Sequence, residues 1–392
     1  MNLTGYFRRS TNSRHFIPEI DGLRFFSIIT VMVFHLNTAY SREIGIGLEG
    51  WSREVGIENL IQLGWWVTRL DLGVKVFFAI SGFILGMPFL RYLLLGKKMV
   101  GMREYFYRRI TRLEPPFVLT LIGFYFVHVL ILNESAEDLF PNLVSGLVYS
   151  HVFVFGFPNP INPVTWSLET EAQFYIILPL FFWLVARLPK KFGFWILLIL
   201  LALGSAYFRS FSLEVGLGRF SNSIFAYFVN FAVGLMYSFL YIKHPRIFAE
   251  GKSYKFDLVA LVALFGLFYF YKPQYLIFNN LLFNTSLFFF FVGTFKSKAV
   301  NWFFTRPAVY LVGGMCYTIY LIHYALFHLI VRLTAEIDLS LGYWSNFFVQ
   351  IVFAFPIVLL VSAAFYLLVE KPCMDKNWPS RLKNNLFPRS LL

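Results

Sequence analysis

The chain has 392 residues, of which 58% are hydrophobic and 14% are charged, and its mean hydropathy is +0.64. Soluble domains carry about 45–50% apolar and about 25% charged residues, so this composition excludes a soluble protein with a single membrane anchor. The formal net charge of +13 lies mostly in short loops between apolar runs, which argues against a nucleic-acid-binding surface. The two cysteines fit neither a disulfide framework nor a metal site.

Ten apolar runs predict membrane-spanning helices, because each has about the length that the hydrocarbon core of a bilayer requires. They lie at roughly 23–40, 72–95, 115–132, 167–187, 193–208, 221–242, 256–271, 275–295, 308–332 and 345–369. An eleventh run, at about 143–157, is interpreted as a re-entrant or buried segment. We therefore predict an all-α polytopic membrane protein with about ten transmembrane helices and one apolar segment that does not cross.

The distribution of basic residues predicts the orientation of the chain. If 143–157 does not cross, most of the 34 Lys and Arg residues fall in loops on the side of the N-terminus. Cytoplasmic loops carry the Lys and Arg excess, so both termini are predicted to be cytoplasmic in a protein of the cell (inner) membrane. The predicted transmembrane domain at 18–372 then lies between short tails at 1–17 and 373–392. The tryptophan-containing loop 41–71, on the other side, is either an interfacial stretch or a lid.

Two ionisable residues, Arg24 and His35, stand out within the first apolar run. Eleven helical positions come to about three turns plus 20°, so the two side chains share one face, about 16 Å apart along the axis. This is about half of the hydrocarbon thickness, so an Arg24 at one surface places His35 near the bilayer midplane. Titratable groups at that depth are costly and usually mark a pathway or an active site.

Six short motifs follow one another along the chain. They are Arg24 and His35 after Asp21-Gly22-Leu23, then 73–83 (GVKVFFAISGF), 109–115 (RITRLEP), 166–175 (WSLETEAQFY), 314–323 (GMCYTIYLIH) and 370–372 (EKP). This ordered set, which extends from about residue 18 to 372, resembles the acyltransferase-3 family of integral membrane O-acyltransferases, in its stand-alone form without a fused soluble domain. Two positions depart from the family pattern: Phe25 replaces a usual Gly, and Lys75 replaces a usual Asp or Glu.

The resemblance implies transfer of an acyl group, usually acetyl, from cytoplasmic acyl-CoA to a hydroxyl of an extracytoplasmic or lipid-linked glycan. Cell-envelope polysaccharide and lipopolysaccharide are acceptors of this kind. Acetyl-CoA is then the expected co-substrate, with no metal, and the expected partners are a glycan or glycolipid and the lipid bilayer, not nucleic acid. The alternative is a transporter or flippase for a lipid-linked glycan, which would use the same intramembrane charges without covalent chemistry.

The resemblance selects His35 and Glu171 as catalytic residues. Neutral imidazole suits proton transfer near pH 7, so His35 is expected either to deprotonate the acceptor hydroxyl or to carry the acyl group itself. The alternative is a core histidine that is hydrogen-bonded between helices. Glu169 and Glu171 lie about 200° apart on a helix, so they cannot both face one cavity. Glu171 is expected to orient His35, to raise its basicity or to bind the acceptor.

Arg24, Arg109 and Arg112 are expected to bind the phosphates of CoA, because a planar guanidinium matches phosphate and the last two arginines share a helix face. The alternative is anchoring to anionic lipid.

Ser81 is either a packing residue or a nucleophile. The resemblance gives substrate-binding or supporting roles to Asp21, Ser81, Trp166, Tyr175 and His323.

Overall fold

The computed structural model describes residues 16–46, 62–189, 192–249, 251–271, 277–337, 340, 342–375 and 377–379. These residues form helices and connecting turns, with no β-strand among them. Residues 47–61 of the loop at 41–71, and most of both predicted tails, lie outside the described residues.

The described chain contains both long helices and short helical segments. In chain order they are α1 (Pro18–Glu43), α2 (Leu63–Val67), α3 (Gly73–Leu95), α4 (Met102–Leu130), α5 (Ala136–Leu147), α6 (His151–Phe155), α7 (Trp166–Val185), α8 (Gly193–Glu214), α9 (Gly218–Ser221), α10 (Ile224–Lys243), α11 (Pro245–Ala249), α12 (Tyr254–Tyr269), α13 (Ile277–Lys296), α14 (Ala299–Phe304), α15 (Pro307–Gly314), α16 (Cys316–Thr334), α17 (Tyr343–Phe365) and α18 (Lys371–Cys373). Turns of 3₁₀-helix precede α3 (Leu70–Leu72) and α7 (Pro163–Thr165), and a π-helical turn (Tyr366–Glu370) follows α17.

Nine segments of the described chain are long and apolar enough to cross a membrane, and they coincide with nine of the ten predicted spans. The remaining predicted span, 256–271, corresponds to α12, which has only 16 residues. It packs along α13 so closely that a Cβ on Gly293 would lie 2.5 Å from the Cβ of Ala260. The predicted architecture of an all-α polytopic membrane protein is confirmed.

The eleventh apolar run forms a broken, partly buried structure, in which Leu143 and Val152 are buried and Val148 is exposed. Tyr149, between α5 and α6, adopts a left-handed backbone conformation with φ of 55°, which interrupts the helix. Buried polar side chains support this turn: the Nε2 of His151 lies 2.8 Å from the Oδ1 of Asn142, and Asn159 donates to the carbonyl of Asn142. Such bonds satisfy irregular backbone, which membrane proteins tolerate only where protein or water does so.

Glycines bring the helices at the centre of the bundle into close contact. On α3 and α10, a Cβ on Gly82 would lie 2.1 Å from the carbonyl oxygen of Phe231, and a Cβ on Gly234 would lie 1.9 Å from that of Ala79. On α15, a Cβ on Gly313 would lie 1.7 Å from the carbonyl oxygen of Asp21. Small residues let helix backbones approach in this way, which is the usual means of packing in a bilayer.

The predicted span at 308–332 is divided into α15 and α16 at Met315. Gly313 and Gly314 precede this break, and glycine is a weak helix former. The side chain of Glu370 meets the new start of α16: its Oε2 accepts hydrogen bonds from the backbone N–H and the hydroxyl of Thr318, at 3.2 and 2.6 Å. The division lets the first turn of α16 point into the bundle.

Candidate active site

A cavity of about 500 Å³ opens at the end of the bundle where α1 begins, between α1, α3, α4, α7 and α16. The charged side chains that line it within the described chain are Asp21, Arg24, Arg91, Arg108, Arg109, Arg112 and Glu171. Five arginines thus face two carboxylates. A cavity with this balance of charge favours an anionic ligand.

The arginines are held by the protein around them. Arg24 forms an ion pair with Asp21, one helical turn before it. The guanidinium of Arg109 lies over the ring of Tyr105, 3.6 Å from its centroid, and donates to the Tyr105 carbonyl at 2.7 Å. Within the described chain, the Nε atoms of Arg109 and Arg112 are buried without a hydrogen-bond partner. In folded proteins most buried donors of this kind have a hydrogen-bond partner, either in the protein or in ordered water.

The polar pair in this cavity is formed by Ser81 and Glu171, which reach it from α3 and α7. The Oγ of Ser81 donates to the Oε1 of Glu171 at 2.5 Å. Tyr175, one turn further along α7, lines the cavity as well. Glu169 points elsewhere, where its Oε2 accepts the backbone N–H of Val152 at 3.1 Å. The two carboxylates therefore diverge, as their helical spacing indicates.

His35 and His323 form a pair outside this cavity. The Nδ1 of His35 lies 2.8 Å from the Nε2 of His323, and the two rings stack with centroids 5.1 Å apart. Neither histidine is among the residues that line the cavity. Tyr320 connects the two places, because its side chain lines the cavity while its ring centroid lies 6.3 Å from that of His323.

The inner wall of the cavity is therefore made by Tyr320 and Ser167, together with Phe77. The hydroxyl of Tyr320 lies 3.0 Å from the Oγ of Ser167 and also donates to the carbonyl of Val164. Phe77 lines the cavity and also packs against an apolar cluster that includes residues of α1 and α16. This layer of side chains separates the cavity from the histidine pair.

Sequence reasoning missed several lining residues, among them the arginines Arg91 and Arg108. The cavity-lining residues Phe77, Ser81, Ile84, Pro88 and Arg91 recur every three or four positions and so share one face of α3. Extending the face of Ser81 along the helix would have found Arg91. Trp166, in contrast, does not line the cavity.

The ring of Trp166 packs against Phe78 and Tyr227, with centroids 6.3 and 5.5 Å away.

Lys75 and Phe25, the two residues that depart from the family pattern, also have defined neighbours. The Nζ of Lys75 donates to the hydroxyl of Tyr271 at 2.8 Å, and that hydroxyl donates to Asp71 at 2.5 Å. The ring of Phe25 makes an edge contact with Phe303.

Comparison with known proteins gives a family and distant relatives. The sequence profile of a family described as "Acyltransferase domain" matches residues 17–367. The chain is 28% identical over 183 residues to a putative peptidoglycan O-acetyltransferase of Bacillus subtilis, which covers 44% of this chain and 24% of that protein. It is 25% identical over 185 residues to a peptidoglycan O-acetyltransferase of Listeria monocytogenes, covering 44% and 25% of the two chains.

An O-acetyltransferase of Staphylococcus aureus is 26% identical over 178 residues, which cover 43% of this chain and 25% of that protein. The matches to these curated relatives thus span about a quarter of their length. No solved structure matches the chain.

Proposed function

The chain belongs to the acyltransferase-3 family, and on that basis we propose that it transfers an acetyl group from acetyl-CoA to a hydroxyl of a cell-envelope glycan. The relatives that are named peptidoglycan O-acetyltransferases make peptidoglycan the first acceptor to test. One observation carries the proposal: the cavity that five arginines line, with the hydrogen-bonded Ser81 and Glu171 deeper within it.

The arginines suit the donor, because CoA carries a 3′-phosphate and a pyrophosphate. Arg24, Arg109 and Arg112 are proposed to bind these phosphates, and Arg91 and Arg108 join them at the same cavity. A guanidinium presents a planar fork of donors that matches phosphate oxygens. The position of Arg109 and Arg112 on the wall of the cavity favours a ligand inside the bundle over anchoring to lipid headgroups at its surface.

The proposed orientation follows the distribution of positive charge. The cavity opens at the end of the bundle that bears the N-terminus of α1 and the loop after α3, which contains Lys97 and Lys98. Cytoplasmic loops carry the Lys and Arg excess, so this end is proposed to face the cytoplasm of the cell, where acetyl-CoA is made. Both termini are then cytoplasmic, and the glycan reaches the opposite end.

His35 is proposed to be the catalytic group. It lies about 16 Å further along α1 than Arg24, a distance that the pantetheine arm of CoA can bridge. The thioester has to pass Tyr320 and Phe77 to meet the imidazole, so we propose that these side chains move aside when the donor binds. Such a movement exposes the histidine only when the donor is in place.

Two chemical routes use the same imidazole nitrogen. In the first, His35 takes the proton of the acceptor hydroxyl, the oxygen attacks the thioester carbonyl, the C–S bond breaks, and the imidazolium returns the proton to the CoA sulfur. In the second, the imidazole nitrogen itself attacks the thioester, the C–S bond breaks and CoA leaves as the thiolate. The acceptor hydroxyl then attacks the acyl-imidazolium and releases the histidine, and the hydroxyl proton passes to the CoA thiolate. Both routes yield one ester and one CoA thiol.

The proposal is tested with the purified protein in nanodiscs, acetyl-CoA carrying a labelled acetyl group, and peptidoglycan fragments as the acceptor. The wild type is expected to yield an acetyl ester on the glycan, and His35→Gln is expected to lose transfer while acetyl-CoA still protects the protein against thermal unfolding. The matched control is His128→Gln, a histidine on α4 whose Nδ1 lies 3.1 Å from Glu134. Wild-type transfer by His35→Gln would contradict the proposed role of His35.

A flippase for a lipid-linked glycan is the second candidate, because it could use the same charged cavity. It predicts translocation of a fluorescent lipid-linked glycan across proteoliposomes without acetyl-CoA, and no hydrolysis of the thioester. The acyltransferase predicts the reverse: slow release of CoA from acetyl-CoA alone, and stabilisation by acetyl-CoA. Translocation without either donor effect would overturn the acyltransferase proposal.

A further inference from the structure

We infer that His323 is a positioning residue that holds His35 in a single tautomer, with the proton on Nδ1 and the lone pair on Nε2. The inference rests on the proposed function for its chemical meaning, although the tautomer itself can be measured without any substrate. It begins with the surroundings of His323, which is fully buried on α16.

The Nδ1 of His323 faces two hydrogen-bond acceptors. The carbonyl oxygens of Ile319 and Tyr320 each lie 2.9 Å from it, one turn earlier on the same helix. A carbonyl oxygen only accepts, so this nitrogen must carry the proton. In neutral His323 the other nitrogen, Nε2, therefore carries a lone pair.

That lone pair decides the state of His35. The Nε2 of His323 lies 2.8 Å from the Nδ1 of His35, and two lone pairs cannot face each other at this distance. His35 must therefore donate from Nδ1, which leaves its own Nε2 unprotonated. Within the described part of the chain, Nδ1 makes the one hydrogen bond of the His35 side chain, and the residue is partly exposed. The bare Nε2 is the nitrogen that both chemical routes require.

The carboxylate that the sequence suggested for this task has another partner. Glu171 accepts a hydrogen bond from Ser81 in the cavity. His35 has a second imidazole in the place that a carboxylate takes in many catalytic pairs, where such a partner selects the tautomer and orients the ring. Because His323 is bound to backbone carbonyls of its own helix, it also fixes the direction of the His35 ring between α1 and α16.

The test uses ¹⁵N-histidine NMR of the whole protein in nanodiscs. The chain has seven histidines, and His35→Gln and His323→Gln each remove one set of signals to assign the pair. In the wild type we expect a protonated Nδ1 and a bare Nε2 on His35, with a scalar coupling across the N–H···N bond to His323. Without an acceptor at Nδ1, as in His323→Phe, the proton of His35 can sit on either nitrogen, and the coupling disappears.

Kinetics then tests whether the tautomer matters. We expect His323→Phe to lower kcat for acetyl transfer by about 10- to 100-fold, because the wrong tautomer of a catalytic histidine is strongly inhibitory. The KM for acetyl-CoA should stay unchanged, since the arginines are untouched. His323→Gln keeps an acceptor oxygen in reach of Nδ1 and should recover part of kcat, whereas His128→Gln should leave both the coupling and kcat unchanged.

Two results overturn the inference. One is a wild-type spectrum in which His35 carries its proton on Nε2, and the other is a His323→Phe variant with unchanged kcat. If the wild type shows the expected tautomer and coupling but transfers no acetyl group to any glycan, the proposed function fails and the hydrogen-bond geometry stands. If His323→Phe does not fold, the wild-type spectrum still decides which nitrogen of His35 carries the proton.

Discussion

Ser81 and Glu171 join α3 to α7 through a hydrogen bond of 2.5 Å between the serine hydroxyl and the carboxylate, inside the cavity that the arginines line. A serine beside a carboxylate can be a nucleophile beside its base, or a polar contact that holds a carboxylate in place. The two readings differ in what removal of the hydroxyl does to the rate.

Ser81→Ala is expected to lower kcat for acetyl transfer by no more than about 100-fold, because the loss of one hydrogen bond to a charged group is worth about 1.5–3 kcal/mol at most. A nucleophile would behave differently, since removing one typically lowers the rate by more than about 1,000-fold. Steady-state kinetics with acetyl-CoA and glycan measures this directly. Ser286→Ala is the control, because the hydroxyl of Ser286 bonds to the carbonyl of Leu282 on its own helix.

Arg109→Ala is expected to raise the KM for acetyl-CoA by about 10- to 100-fold with a small change in kcat, because a charge-assisted bond to phosphate is worth about 1.5–3 kcal/mol. Arg109 is held by Tyr105 and reaches the cavity from α4. The control is Arg187→Ala, whose guanidinium stacks 3.5 Å from the Trp183 ring at another place in the fold. The difference in KM between Arg109→Ala and the wild type should become smaller in high salt. Equal KM values for Arg109→Ala and Arg187→Ala would show that Arg109 does not bind the phosphates.

Gly82→Ala is expected to destabilise the protein by about 1–3 kcal/mol, the usual cost of overpacking. Its new Cβ would lie 2.1 Å from the carbonyl oxygen of Phe231, which is backbone and cannot rotate away. Gly123→Ala, on α4, is the matched control, because no atom lies within 4 Å of its new Cβ. A thiol-reactive dye can follow thermal unfolding through the two buried cysteines, Cys316 and Cys373. Equal midpoints for the two variants would contradict the packing argument.

Much of this architecture can be read from the sequence, because apolar runs of membrane length are a one-dimensional signal. Helical spacing also places Arg109 and Arg112 at one cavity and separates Glu169 from Glu171. These are properties of single helices. The cavity-lining face of α3 is also a property of a single helix. Following the helical repeat from Ser81 along this face leads to Arg91.

Contacts between distant helices could not be found in this way. His35 and His323 are 288 residues apart, and their pairing depends on how α1 packs against α16. The division of the span at Met315 lies beside the close approach of Gly313 to the backbone at Asp21, which is a tertiary contact as well. The role of Glu370 depends on that division, because only a helix that starts anew at Cys316 exposes the N–H of Thr318.

Glu370→Leu is expected to destabilise the protein by about 1–3 kcal/mol, because it leaves the buried N–H and hydroxyl of Thr318 without the carboxylate that accepts from them. Glu370→Gln keeps an acceptor oxygen of the same shape and should cost less. Since the first turn of α16 carries Cys316 and Tyr317 into the cavity, the Leu variant should also raise the KM for acetyl-CoA.

A double-mutant cycle with Thr318→Val isolates this contact from other effects of burying a leucine at position 370. If the carboxylate acts through Thr318, the two substitutions together should cost less than their sum, with a coupling of about 0.5–3 kcal/mol. The unfolding midpoints of the wild type, the two single variants and the double variant, measured in one detergent, give that coupling. Strict additivity would show that Glu370 stabilises the protein through some other contact, and the start of α16 would then need another explanation.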